Sequence, residues 1–167
     1  MSTVLNAASV KVTSPHGGLV VLRCPRNSNA VLQITVSNVV EAPFFDSQNP
    51  ASVSDWTRRR TAPAPWGCAV GIYVGICFPR SSFVNLADPT QVLNLYDQIA
   101  LAYYTLRGSD PAKQRKQYAV ADIAPMLGYM HSGFPLVTKL DVADPAGPNF
   151  LFNYANIIAN GNWGYFH

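Results

Sequence analysis

The chain has 167 residues, of which 49% are hydrophobic and 13% charged, and its formal net charge is +3 at pH 7. This length allows one domain with a sizeable core, and so few charges exclude a disordered chain or a coiled coil. The weak positive charge does not indicate nucleic-acid binding, and no apolar run approaches the roughly 20 residues of a membrane span.

The N-terminal region, up to about residue 45, is expected to form strands. Residues 19–22 are apolar, and a turn at 27–29 separates them from residues 30–40, where apolar and polar side chains alternate. A period of two is typical of a half-buried strand, so the two segments predict a β-hairpin.

The segment from residue 46 to 65 is rich in Ser, Asn, Pro and charged residues. We expect an ordered connection that holds one or two helical turns anchored by Trp56. The arginine run 58–60 is interpreted as a solvated face rather than a binding patch. We place the domain boundary after residue 62, with a β-rich lobe and connection at 1–62 and a second part at 63–167.

The second part is expected to alternate strands and helices. Residues 69–78 are almost continuously apolar, which indicates one strand covered on both faces. Asp88 and Pro89 begin a helix whose buried face recurs every three or four residues, and Gly108 ends it. The remaining predicted elements are strands at 118–123 and 134–140 and a helix at 149–160.

Cysteine content and the N-terminus bear on the compartment. Cys24, Cys68 and Cys77 form an odd set without C-x-x-C spacing, so we expect buried, reduced thiols rather than a zinc site or a disulfide framework. Residues 1–6 lack the features of a secretory signal. We therefore expect either an intracellular chain or one whose true N-terminus lies upstream, and the compartment stays open.

The residues taken singly do not identify a reaction. Nucleotide-binding and hydrolase motifs are absent, and the three histidines, at 16, 131 and 167, are too scattered for a metal cluster within this sequence. The cysteines lack a local base signature. Asp97 and Asp122 are interpreted as lone charges with a surface or capping role.

A specific order of short segments goes further. Ala-Pro-Trp at 64–66 and Leu-Ala-Asp-Pro at 86–89 precede Gly-Tyr-Met-His-Ser-Gly-Phe-Pro at 128–135, and the chain closes on Trp163, Gly164 and His167. This order resembles the enhancin-type, mucin-degrading zinc metallopeptidase family. That family's hallmark is a comparable G-[YW]-M-H-[SA]-G-[YF]-P segment followed by W-G-x-x-H-E-x-x-H. The resemblance extends from about Ser14 to the last residue, and vertebrate ion-channel-associated factors, which carry the same domain, are resembled equally well.

The resemblance implies an α+β fold. A small β-rich N-terminal lobe would precede the mixed-sheet-plus-helix upper subdomain of a zincin-like peptidase. It also implies that Met130, His131, Ser132 and Gly133 form an edge strand lining the substrate cleft, where backbone groups pair with an extended peptide. The alternative is a plain turn, in which Gly133 and Pro135 serve backbone geometry only.

The implied zinc site is incomplete in this sequence. His167 aligns with the first histidine of H-E-x-x-H, whereas the following glutamate, the second histidine and the downstream acidic ligand are absent. A catalytic zinc needs about three protein ligands. We therefore expect a fragment whose parent is a zinc metallopeptidase acting on glycoproteins, and we expect the present chain to be inactive and not to bind zinc tightly. Trp163 is interpreted as a core anchor rather than a glycan-stacking residue, and His16 as a turn residue.

Two other classes of function remain open. The first alternative is a non-catalytic regulatory domain that binds a membrane ion channel, as the channel-associated factors imply. The second is a short glycan-binding remnant. An intact E-x-x-H after His167 would favour catalysis, and a substituted glutamate or histidine would favour the binding domain.

Overall fold

The computed structural model describes residues 8–13, 18–20, 31, 33–123 and 128–161. The chain divides into two compact units, residues 1–38 and 39–167. Every helix and strand of the described residues lies in the second unit. The domain boundary after residue 62 stays a prediction.

The second unit is a mixed sheet with helices, which confirms the α+β prediction. The strands are Phe44–Asp46 (β1), Trp66–Val70 (β2), Val74–Pro79 (β3), Gln117–Asp122 (β4), Met130–His131 (β5) and Leu136–Lys139 (β6). The helices are Pro50–Ser54 (α1), Trp56–Arg59 (α2), Thr90–Leu106 (α3) and Tyr154–Asn160 (α4). Short 3₁₀ turns occupy Arg80–Ser82, Pro111–Lys113 and Leu140–Ala143.

The six strands lie in the order β1-β2-β3-β4-β6-β5. Strand β1 is parallel to β2, and β3, β4 and β6 are parallel to one another. The pairs β2–β3 and β5–β6 are antiparallel. Strands β1 and β5 are therefore the two edges of the sheet.

The core is built from aromatic and aliphatic side chains of the sheet, α3 and the C-terminal segment. Trp56 contacts Phe45 and Phe83 edge to face, and its indole N–H donates to the carbonyls of Leu86 and Ala87. Its predicted role as an anchor is confirmed. Such a ring buries a large apolar area and places its one donor on a partner.

The segment 69–78 is a hairpin and not the single strand that we expected. Strands β2 and β3 pair Ala69 with Ile76, and the chain turns at residues 71–73. The prediction failed because the turn carries only one glycine and otherwise apolar residues. Its backbone N–H groups are bound by Asp97, a residue of α3 that is remote in sequence.

The same hairpin corrects the prediction of reduced thiols. Cys68 and Cys77 lie directly opposite each other on β2 and β3, and their sulfur atoms form a disulfide. Once the apolar run folds into two strands, the nine-residue separation becomes a cross-strand pair. Cys24 lies outside the described residues.

The predicted N-terminal hairpin is absent from the described residues of this region. Residues 33–40 belong to no strand, and their side chains are exposed. Alternation alone does not make a strand, because the backbone groups need a partner strand. The β-rich lobe is thus wrong for residues 33–40, and the remainder of this hairpin lies largely outside the described residues.

The predicted helices are confirmed with shifted starts. The Asp88 side chain accepts from Thr90 N at 2.8 Å, and Gly108 follows the end of α3 at φ +66°. The periodicity predicts Tyr103 on the buried face, but Tyr103 is 44% exposed and its neighbour Tyr104 is buried, so the prediction is wrong at this end of the helix. Helix α4 is shorter than predicted, because Asn153 caps it at Tyr154.

The arginine run is tied into the structure rather than simply solvated. Arg58 pairs with Glu41 and Asp55, and Arg60 donates to the carbonyl of Leu86. The charge of Arg58 lowers the pKa of both carboxyl groups, chiefly through hydrogen bonds. The contacts with Glu41 and Leu86 join this run to other segments of the second unit.

Candidate functional site

The two edges of the sheet differ in what their outward backbone groups bind. At β1, the Ser52 hydroxyl accepts from Asp46 N at 2.9 Å and donates to the Phe44 carbonyl at 3.4 Å. Ser52 is 2% exposed, so α1 closes this edge with a buried hydroxyl. An edge satisfied in this way is not available to a further strand.

Strand β5 forms the opposite edge. Met130 lies opposite Thr138, and His131 lies opposite Val137. Because Lys139 N donates to the Tyr129 carbonyl, residue 129 points its backbone groups toward β6. Backbone direction alternates along a strand, so the N–H and C=O of Met130 point away from β6, toward the side on which the described residues place no further strand. This side of β5 is called the open edge below.

The structure places the four predicted cleft residues at this edge. Met130 and His131 form β5, and Ser132 and Gly133 belong to the turn that leads to β6. Met130 is half-buried, whereas the other three residues are exposed, and Gly133 has φ +132°. The structure thus shows an edge strand followed by a glycine turn, and the role of these residues in a substrate cleft stays a prediction.

A polar contact holds the start of β5, and the sequence analysis missed it. The Tyr129 hydroxyl donates to the Asp141 carboxylate, which also accepts from Asn149 Nδ2 at 3.2 Å. Partial burial and the bond to Asp141 raise the pKa of Tyr129 to about 12. The three residues are too far apart in sequence to give a local signal.

A second polar cluster positions the β2–β3 hairpin. The Asp97 carboxylate, 6% exposed, accepts from the backbone N–H groups of Ile72, Tyr73 and Val74 at 2.6, 2.7 and 3.1 Å. Lys116 donates to the Gly71 carbonyl, and burial lowers the pKa of its amine. Asp97 is therefore a buried acceptor of the hairpin turn and not a lone charge in a surface role.

The described residues offer no metal centre. Within them, no three His, Cys, Asp or Glu side chains are placed to hold a metal ion. His131 is exposed on β5. His16, Trp163, Gly164 and His167 lie outside the described residues, so the zinc-ligand assignment of His167 stays a prediction.

The described elements define a class of fold: an α+β domain with a mixed six-stranded sheet, which matches a metallopeptidase fold. A metallopeptidase from Bacteroides thetaiotaomicron matches 72% of this chain with a TM-score of 0.56 and 18% sequence identity, and the match covers 21% of that protein. At this identity the likeness shows the fold.

The sequence match identifies the family. Residues 38–167 match the family described as Peptidase M60, enhancin and enhancin-like, and the chain belongs to it. A TRPM8 channel-associated factor homolog of Danio rerio is 32% identical over 98% of the chain. TRPM8 channel-associated factor 1 of Homo sapiens is 29% identical over 98% of the chain. The chain spans 17% of the length of each of these two relatives.

The helices were also compared with the requirements of a membrane span. In the described part of the chain, none combines the length and apolar character needed to cross a bilayer.

Proposed function

We propose that this chain supplies the front wall of the substrate cleft in a zinc metallopeptidase acting on glycoproteins of the mucin type. The contrast between the two sheet edges carries the proposal. Ser52 occupies the outward groups of β1, whereas Met130 on β5 directs a backbone N–H and C=O outward. An extended polypeptide adds to such an open edge through main-chain hydrogen bonds.

In this proposal the four residues 130–133 of the hallmark segment have different roles in binding the substrate. Met130 makes the two main-chain hydrogen bonds to the substrate. The side chain of His131 is exposed beside that strand, so it contacts substrate side chains. Ser132 and Gly133 follow at the turn, where the lack of a Cβ at Gly133 allows close approach of the peptide.

The proposal includes a zinc ion, and a ring nitrogen of His167 would be its first protein ligand. The described residues do not gather a donor set for zinc, so no step of hydrolysis is derived from them. When bound, zinc would supply Lewis-acid polarisation of a carbonyl and activation of water. The contribution proposed for the described residues is to hold and orient the peptide.

The test uses the longer protein that carries residues beyond His167, with Met130→Pro and Met130→Leu. Proline is tolerated on an edge strand where its missing N–H would face outward, so this change removes the outward donor, and Met130→Leu controls for the loss of the methionine side chain. We expect Met130→Pro to raise KM for a mucin glycopeptide about 10-fold, as loss of one main-chain bond of about 1.4 kcal/mol does. Bound zinc and the melting temperature should match those of Met130→Leu. Equal KM values for the two variants would contradict the role of β5.

The zinc ligand is tested separately. His167→Ala in the longer protein is expected to reduce bound zinc, measured by metal analysis, and to abolish chelator-sensitive cleavage of the glycoprotein. Unchanged zinc content would refute the ligand role of His167 whatever happens to activity.

A second function is favoured by the names of the relatives. The matched relatives are called TRPM8 channel-associated factors, and the human one is 29% identical over 98% of the chain. In this alternative, the same β5 edge binds a segment of a membrane ion channel without cleaving it.

The two candidates are separated by reading the coding sequence past His167 and by adding a chelator. A continuing E-x-x-H and chelator-sensitive cleavage of a mucin support the peptidase. A substituted glutamate or histidine, with chelator-insensitive capture of channel segments that Met130→Pro abolishes, supports the channel-binding domain.

A further inference from the structure

Arg115 stacks on an aromatic ring just before β4. Its guanidinium carbon lies 3.8 Å from the ring centre of Phe134, which belongs to the turn between β5 and β6. The same ring contacts Tyr118 of β4 edge to face, with 6.3 Å between centroids. Phe134 is 45% exposed and Arg115 is exposed, so this Arg–Phe platform faces solvent.

Arg115 differs from the other arginines of the described residues in how its N–H groups are used. Arg58 and Arg59 pair with carboxylates, Arg60 and Arg80 donate to carbonyls, and Arg107 donates to the Ser109 hydroxyl. The guanidinium of Arg115 makes no hydrogen bond or ion pair to any of the residues that the structure describes. It contacts the face of the Phe134 ring, so the N–H groups in the guanidinium plane have no partner among the described residues.

We propose that the Arg–Phe platform is a binding site for the carboxylate of an acidic residue in an extended peptide. A guanidinium that stacks on an aromatic face still presents N–H donors in its plane, and their spacing matches the two oxygens of a carboxylate. The stacking also restricts the long side chain in advance, so less conformational entropy is lost on binding.

The position of Phe134 relates the platform to the peptide that is proposed to bind β5. It stands three residues beyond His131, in the turn that directly follows β5. Strand β6 lies between β5 and β4, so a peptide that pairs with the outer side of β5 reaches the platform by running past the end of β5 and crossing the turn at residues 132–135. The inference rests on the proposed function, since the peptide on β5 is the bearer of the carboxylate.

The charges of the connection around Arg115 agree with an acidic ligand. Residues 107–116 contain Arg107, Lys113, Arg115 and Lys116 and a single acidic residue, Asp110. Asp110 is 3.5 Å from the Lys113 amine and caps the turn at residues 111–113. The segment thus carries a net positive charge, while the Asp46 and Asp97 carboxylates act on Lys116 from other elements. The attraction of an acidic side chain to Arg115 itself is screened as salt rises.

The experiment is an NMR titration of the isotopically labelled 167-residue chain, reading the Nε–Hε signal of Arg115 and the backbone amide of Met130 separately. The probes are a capped pentapeptide of Val and Thr with a central Glu, its Gln twin, and free N-acetylneuraminic acid. We expect the Glu peptide to shift both signals and to bind about 10-fold more tightly than the Gln twin, the discrimination typical of one charge-assisted bond.

The variants assign this preference to Arg115. Arg115→Gln should abolish the preference for Glu, Arg115→Lys should keep only part of it, and the matched control Arg107→Gln should keep most of it. The preference should weaken between 50 and 500 mM salt, roughly as a solvent-exposed charge pair does.

The outcomes separate this proposal from the role of β5. A shift at Arg115 without one at Met130 supports the carboxylate site and removes β5 as its neighbour. A shift at Met130 alone overturns the carboxylate site and leaves β5 standing. Equal affinity for the Glu and Gln peptides, equal losses in the Arg115→Gln and Arg107→Gln variants, binding of the sugar acid only, or no shift at Arg115 with any probe each overturns the proposal.

Discussion

Replacing Asp97 by asparagine probes the contact that sets the β2–β3 hairpin on α3. In the native chain Oδ1 accepts from Tyr73 N at 2.7 Å and Val74 N at 3.1 Å, and Oδ2 accepts from Ile72 N at 2.6 Å. An asparagine whose amide oxygen replaces Oδ1 keeps two of these bonds. Its NH₂ group then faces the N–H of Ile72, so that one donor meets another.

The cost follows from the burial of this site. A hydrogen bond to a charged group contributes about 1.5–3 kcal/mol, and a buried donor left without a partner costs about 1–3 kcal/mol. We therefore expect Asp97→Asn to lower the free energy of unfolding by about 2–3 kcal/mol. Asp97→Ala removes both acceptor oxygens, and with them all three hydrogen bonds, and should cost about 4 kcal/mol or more.

The measurement is urea unfolding of the two variants beside Asp88→Asn, with hydrogen exchange at Ile72 and Tyr73. Asp88 is an exposed carboxylate before the same helix, and asparagine caps a helix about as well as aspartate, so this control should lose less than about 0.5 kcal/mol. If Asp97→Asn were no more destabilising than Asp88→Asn, Asp97 would not hold the turn.

Three further predictions concern the edges and packing of the sheet. Ser52→Ala should lower the free energy of unfolding by about 1–2 kcal/mol in urea and promote association detectable by sedimentation, because it uncovers the outward groups of β1. The control is Ser54→Ala, which removes an exposed hydroxyl, and equal effects of the two changes would refute the edge role of Ser52. Gly75→Ala should destabilise by about 1–3 kcal/mol, since a Cβ there would lie 2.6 Å from Cδ1 of Tyr118, and Tyr118→Ala should relieve most of this cost in the double variant. Tyr129 should titrate near pH 12 by ultraviolet absorbance, and Asp141→Asn should lower that pKa. Since the folded pKa of Tyr129 is the raised one, its contribution to stability is complete below pH 10 and declines as pH rises toward 12.

Local patterns in the sequence were sufficient for the elements that depend on neighbours in the chain. The helix after Asp88 was predicted because a capping carboxylate, Pro89, a three-to-four periodicity and Gly108 all act within a few residues. The hallmark segment at 128–135 led to the family, which the match over residues 38–167 confirms. It also led to the edge strand at Met130 and His131, whose peptide-binding role stays a prediction.

Only the tertiary structure decided the features that join residues distant in sequence. Asp97 turned the apolar run 69–78 into a hairpin, and that turn brought Cys68 and Cys77 together. Ser52 closed one edge of the sheet, and the pairing of β4 with β6 brought Arg115, before β4, onto the ring of Phe134, before β6. Hydrophobic periodicity records which side chains are buried, but backbone N–H and C=O groups are the same in every residue except proline, which lacks the N–H. Their partners, and therefore the open edge of the sheet, are fixed only when the strands have assembled.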